Sequence, residues 1–177
     1  MMISRTWAMP NSRTFLIKPI KKFVEKYIKN AGVIVDPFAN DCNYGTITND
    51  LNPVYNTTYH MDALDFLKIM GDESADVVIY DPPYSSRQVV ECYKGFGITV
   101  TQETTQASWR ARHLDEIARI LKPGGIALCF GWNTNGVGKK RGFEMLEVLI
   151  VPHGGSKHDT LCTAEIKRSG VRHGEQQ

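Results

Sequence analysis

Short apolar runs alternate with stretches of helical period along the 177-residue chain. An apolar period near 3.6 marks an amphipathic helix, and a short continuous apolar run bounded by turn residues marks a buried strand. Residues 19–30 carry Ile20, Phe23, Val24, Tyr27 and Ile28 on one helical face. Pro19 suits the first turn of that helix, and Asn30-Ala31-Gly32 stops it. Val33-Ile34-Val35-Asp36 predicts a buried strand that ends in an acid. Residues 47–50 predict a second strand ending in an acid, and 57–60 a third, followed by Met61-Asp62 and a short helix over 63–70. Val77-Val78-Ile79-Tyr80 predicts the most apolar strand, and Asp81-Pro82-Pro83-Tyr84 follows it directly. Residues 85–105 show no clear period and read as the longest loop. Ser108 is a candidate N-cap, with Trp109, His113 or Leu114, Ile117 and Leu121 at helical spacing behind it. Lys122-Pro123-Gly124-Gly125 ends that helix, 126–130 is the fifth strand, and 143–151 pairs with 160–166 as a terminal antiparallel hairpin. The alternation argues for an α/β fold. One domain over 1–168 is expected, followed by a loose polar tail over 169–177.

Charge changes this picture because it is unevenly spread. Residues 1–30 hold seven Lys and Arg against Glu25 alone, and 31–81 hold nine acids against Lys68 alone. An acidic centre with basic flanks suits a cationic cofactor beside a polyanionic substrate, although a lysine-rich helix is equally read as a solvated face. Cys42, Cys92, Cys129 and Cys162 are far apart and form no Cys-x-x-Cys pair. Of the histidines only His153 and His158 lie close together, so no metal is expected. No run is long enough to span a bilayer and no signal peptide is evident, so a cytoplasmic protein without membrane contact is the expectation.

The chemistry concentrates at the strand ends. In an open parallel sheet, ligands bind beyond the carboxyl ends of the strands. Asp36, Asp50, Asp62 and Asp81 all fall at or just past such ends. Converging like charges cost energy unless a cationic or donor-rich partner meets them. Asp81-Pro82-Pro83-Tyr84 has a logic of its own. The exocyclic amine of adenine or cytosine is a poor nucleophile, because its lone pair is delocalised into the ring. A carboxylate and a backbone carbonyl that accept its two N–H bonds return density to nitrogen. Proline has no N–H and a fixed φ, so Pro82 and Pro83 present carbonyls in a stiff frame. Tyr84 offers a flat face on which a base can stack.

On these residues the chain resembles the S-adenosylmethionine (SAM)-dependent amino-methyltransferases of DNA, the N6-adenine and N4-cytosine enzymes. Asp81-Pro82-Pro83-Tyr84 matches their catalytic motif. Val33-Ile34-Val35-Asp36-Pro37-Phe38-Ala39 is similar to the start of their SAM motif. The resemblance implies that Asp36 meets the methionine amine and that Phe38 packs by the cofactor, with Pro37 and Ala39 beside it. It implies ribose binding at Asp50 and reading of the cofactor's adenine at Asp62-Ala63. Thr14-Phe15-Leu16-Ile17-Lys18-Pro19 resembles the N-terminal cofactor motif, which brings in Phe15 and Lys18. The implied fold is the Rossmann-like class I SAM-dependent methyltransferase fold, a mostly parallel seven-stranded sheet with an antiparallel last strand. The implied reaction is methylation of a base amine in DNA, N6 of adenine above all, on a flipped base or a single strand. Methylation of RNA or of a protein amide, and a non-catalytic SAM-fold subunit that presents nucleic acid, are the alternatives.

The chain departs from that pattern twice. Asn40-Asp41-Cys42-Asn43 replaces the usual Gly-x-Gly, although Asn tolerates the left-handed region. Asp36 and Asp50 stand only 14 positions apart, too close for a full crossover helix. Either that helix is cut to a turn or the second strand begins elsewhere. The stretch 85–105 is the candidate target-contacting loop, through Arg87, Gln88, Lys94 and Gln102, with ordinary loop surface an equal reading. Phe96 is read as a loop anchor ahead of a mobile aromatic that wedges or stacks, and Trp132, after the fifth strand near the expected base pocket, as core packing ahead of a base contact.

Overall fold

The computed structural model describes residues 1–101, 106–155 and 157–170; Gln102 and the tail 171–177 lie outside the described residues. Strands β1 (Met2–Arg5), β2 (Ile34–Asp36), β3 (Ile47–Thr48), β4 (Ala75–Tyr80), β5 (Leu121–Gly131), β6 (Phe143–Val151) and β7 (Thr160–Lys167) form one sheet in the order β1-β6-β7-β5-β4-β2-β3. Every pairing is parallel except those of β7, which runs antiparallel to β5 and β6. Helices α1 (Lys18–Ile28), α2 (Ala63–Ile69), α3 (Ser86–Gly95) and α4 (Ala107–Ile120) complete the described elements, with short 3-10 turns at Thr14–Leu16 and Lys139–Arg141.

Alternate residues of a strand face opposite sides of a sheet, so a strand covered on both sides is apolar throughout. In β4, Val77 and Ile79 join the core formed with Ile20, Phe23 and Val24 of α1. Val78 and Tyr80 join the opposite core, formed with Phe66 and Leu67 of α2 and Leu114, Ile117 and Ile120 of α4. Burial of each such Ile, Leu or Phe side chain contributes about 1.5–3 kcal/mol relative to exposure.

Four expectations are corrected. The third strand, 57–60, is reduced to a single parallel bridge between Asn49 and Tyr59. The seventh strand is instead β1, at the other edge of the sheet beside β6. The stretch 85–105 is not all loop, because α3 occupies its first half. Ser85 caps that helix by accepting from Gln88 N, Arg87 pairs with Glu91 one turn on, and Val89 and Tyr93 are buried on one face. Finally, β5 begins at Leu121, and the Gly-Gly turn lies inside it as an irregularity between Ala75 and Val77 of β4, with Gly124 at φ 80°.

Glu165 of β7 is 2% exposed and accepts hydrogen bonds from Val137 N at 2.5 Å and Gly138 N at 3.1 Å. Glu165→Ala leaves these amides without an acceptor. It is expected to lower stability by about 1–3 kcal/mol, read as a shift in the urea midpoint.

Candidate functional site

The parallel strands β2, β4 and β5 all end on one side of the sheet, and a cleft of about 440 Å³ opens there. Its walls include Pro37, Phe38, Asp50, Asp62, Ala63 and the whole of Asp81-Pro82-Pro83-Tyr84. A second chamber of about 320 Å³ adjoins it, lined by Phe15, Ala39, Asp41, Cys42 and Tyr44 among others. Ser12, Thr14, Asn40 and Asp81 line both chambers, so Asp81 stands at their junction. The fold thus brings together most of the residues singled out in the sequence. Two are set apart. Asp36 is fully buried and lines neither chamber, and Lys18 lies in a separate groove between α1 and the β1–β6 edge.

The link from β2 to β3 is a turn, not a helix, so the shortened 36–50 segment is resolved in favour of a lost crossover helix. Asn40 takes the left-handed conformation at φ 54°, as its residue type allows. Its backbone N donates to Asp50 Oδ2 at 2.9 Å, and Asn52 N donates to Oδ1 at 2.8 Å. The turn closes over Gly45, where a Cβ would stand 2.8 Å from Thr48 Cγ2 and 3.0 Å from Asp36 Cβ. Arg13 pairs with Asp41 at 2.7 Å across the second chamber.

Asp36 Oδ1 accepts from Phe38 N at 3.1 Å, while Oδ2 is buried without a partner. Burial first, then the charges of Asp81 and Asp50, push its carboxyl up to about 8. Asp62 caps α2 by accepting from Leu64 N at 2.9 Å, and its Oδ2 accepts from the Tyr93 hydroxyl. Trp109 Nε1 donates to the same hydroxyl at 3.1 Å. Asp81 Oδ1 accepts from the Tyr84 hydroxyl at 2.5 Å. Burial also holds Asp81 above the usual carboxylate range, with hydrogen bonds from Tyr84 and Thr14 opposing it.

Asn49 and Tyr93 escaped the sequence reading, and other residues take places it did not give them. Asn49 is 1% exposed; its Nδ2 donates to the carbonyls of Pro37 and Met61, and its Oδ1 accepts from Met61 N. It ties the loops after β2 and β3 into one wall. Tyr93 lies in the stretch read as loop, where the four-residue spacing from Val89 is the signal for a helix. Gln88 Oε1 accepts from Tyr84 N at 2.7 Å, so it braces the tetrapeptide, and Arg87 is engaged with Glu91. Phe96 is the C-cap of α3, 40% exposed, and lines the cleft rather than anchoring a loop. Trp132 is 40% exposed and not core; its ring lies 5.8 Å from Tyr84, edge-on, and 4.3 Å from His158. His153 is held elsewhere, by Ala8 O and Thr160. Among the described residues no group of three or more His, Cys, Asp or Glu is placed to hold a metal, and no helix is long and apolar enough to cross a membrane.

No protein-family model matches the chain. It is 31% identical over 91 residues to the type II methyltransferase M.BamHI of Bacillus amyloliquefaciens; the match covers 48% of this chain and 19% of that protein. The chain therefore spans about a fifth of the length of that curated relative. Among solved structures it is similar to a 1,6-didemethyltoxoflavin-N1-methyltransferase from Burkholderia thailandensis with bound S-adenosylhomocysteine (TM-score 0.59, 10% identity, 86% of this chain and 78% of that one). It is likewise similar to a SAM-dependent methyltransferase from Archaeoglobus fulgidus (TM-score 0.58, 9% identity, 84% and 91%). A third similarity is to TrmN from Thermus thermophilus (TM-score 0.55, 14% identity, 88% and 50%). The architecture of this chain is the Rossmann-like class I SAM-dependent methyltransferase fold.

Proposed function

We propose that this chain transfers a methyl group from SAM to the exocyclic amine of a nucleic-acid base, most specifically N6 of adenine in DNA. The observation that carries the reading is the position of Asp81 at the junction of two chambers, within an intact Asp-Pro-Pro-Tyr tetrapeptide. The residues fit the cofactor. Asp36 Oδ2 is a buried, orphaned acceptor that feels the charges of Asp81 and Asp50, which suits a cationic group. Asp50 and Asp62 present acceptors suited to ribose hydroxyls and an adenine amine, with Phe38, Met61 and Tyr93 as apolar walls. Arg13 and Lys21 line the second chamber, paired there with Asp41 and Glu25, so a ligand carboxylate would have to displace those partners. SAM supplies an electrophilic methyl on a sulfonium.

The protein's part is to orient and activate the amine. The 2.5 Å bond from Tyr84 fixes the Asp81 carboxylate. Burial makes that carboxylate a more basic acceptor, so it draws more strongly on an amine N–H. The Pro82 carbonyl accepts the second N–H from a backbone that cannot swing. Tyr84, with Trp132 edge-on beside it, supplies an aromatic wall for the base. Alignment of the amine in this frame accounts for the rate. The similarity to M.BamHI supports a DNA substrate, and the basic N-terminal segment agrees with it.

The test is incubation with methyl-labelled SAM and, separately, duplex DNA, single-stranded DNA and RNA, followed by digestion to nucleosides. Label on N6-methyldeoxyadenosine is expected. Label confined to RNA or to protein rejects the DNA assignment, and no transfer to any substrate rejects the reaction.

A further inference from the structure

We propose that the groove between α1 and the β1–β6 edge is a docking surface for a single-stranded nucleic-acid backbone, which it leads toward the cleft; this rests on the nucleic-acid reading above. The groove measures about 580 Å³ and is lined by Trp7, Lys18, Lys22, Lys26, Glu147 and Leu149 among others. It absorbs the basic N-terminal run that the reaction itself leaves unused.

The lysines stand four residues apart, so they rise along one face of α1 in steps of about 6 Å. That step is comparable to the separation of successive phosphates on an extended strand. The ridge begins beside the cleft, since Ser12 and Thr14 line the cleft and α1 starts at Lys18. At its far end Lys26 is paired at 2.5 Å with Glu147, which also accepts from the Tyr27 hydroxyl at 2.7 Å. Lys26 therefore fastens α1 to β6. Lys18 and Lys22 are exposed and have no carboxylate partner among the described residues. They remain for an external anion.

Trp7 stands next to this ridge and is 61% exposed. Its position is fixed from both sides: Thr6 N donates to Ile150 O and Ala8 N donates to Pro152 O. An indole held on an extended backbone beside a row of ammonium groups offers base stacking and phosphate contacts together, the combination that binds single strands irrespective of sequence. A second copy of this chain is a poorer occupant, because a two-fold contact there would bring lysine ridge against lysine ridge. An anionic membrane surface is the competing outcome, given Met2, Ile3 and Met9 exposed on the same edge.

The probe is a fluorescein-labelled oligothymidine of about 20 nucleotides. Thymine has no exocyclic amine, so its binding does not require the methyl-accepting chemistry. Fluorescence anisotropy with the full chain is expected to show salt-dependent binding. Lys18→Glu with Lys22→Glu should weaken it on the order of tenfold at low salt and flatten the salt slope by about 0.7 per lysine. Trp7→Ala should weaken binding with little change in slope. Melting temperatures should match wild type in these variants. Equal affinity of wild type and the double-lysine variant overturns the proposal. So does binding to phosphatidylserine-containing vesicles through the same lysines with no binding to the oligonucleotide. Lysine-dependent probe binding without methyl transfer leaves the groove standing and rejects the reaction. Undiminished methylation of single-stranded DNA by the double-lysine variant rejects the groove and spares the reaction.

Discussion

Asp81→Ala is expected to lower the single-turnover rate of methyl transfer by a factor on the order of 10²–10³, the cost of removing one preorganised group aimed at developing charge. The carboxylate is fixed by Tyr84 at 2.5 Å and sits where the two chambers meet. Asp81→Asn keeps the shape but exchanges one acceptor oxygen for a donor, and its loss should be of the same order. SAM affinity, titrated by calorimetry, should change far less than the rate. A rate equal to wild type in Asp81→Ala would remove the tetrapeptide from the reaction.

The second large effect is a conflict between stability and binding at Asp36. Its carboxyl is raised from 3.8 to about 8 by burial first and by Asp81 and Asp50 next. Between these values the folded protein holds a proton that the unfolded chain releases. The folded state therefore binds more protons, and stability falls as pH rises through that window, with a slope approaching about 1.4 kcal/mol per pH unit. Stability is fully present below the ordinary carboxyl range and the loss is complete above about 8. Asp36→Asn should remove this slope and make the ligand-free protein more stable than wild type at pH 8, measured by urea unfolding across pH. The same substitution should weaken SAM. A cationic ligand beside Oδ2 favours the ionised carboxylate, so wild-type affinity should rise from pH 6 toward 8. Binding near pH 7 should release close to one proton, about the full charge of one linked carboxyl. Calorimetry in buffers of different ionisation enthalpy reads that proton directly. Buffer-independent heats with pH-independent affinity would sever Asp36 from the cofactor.

Val77 to Tyr80 was legible because burial on both faces forces an unbroken apolar run. The helix α1 was legible because one buried face imposes a 3.6-residue period on Ile20, Phe23 and Val24. β1 was not, because an edge strand exposes most of its residues and carries no periodic burial. The segment 57–60 has strand-forming residues, yet only Tyr59 forms a bridge, with Asn49, while Thr58 bonds to Thr48 through side-chain hydroxyls instead of a backbone ladder. α3 was hidden by exposed polar residues, although its Ser85 cap and the Arg87–Glu91 pair were present. Trp132 follows the fifth strand and so falls near the expected base pocket, and there it is exposed beside Tyr84 rather than packed in the core.

By itself the sequence determined the α/β alternation, the acids at the strand ends and the order of the Asp-Pro-Pro-Tyr tetrapeptide, since each is a local pattern of burial, turn chemistry or adjacency. Only the tertiary structure decided that Asp81 joins two chambers while Asp36 lies buried behind them. It alone moved Lys18 from the cleft to a groove beside Trp7, and brought Tyr93 to Asp62 and Trp109 to Tyr93. Those relations span segments distant in the chain, and they depend on which strands become neighbours, which no local period encodes.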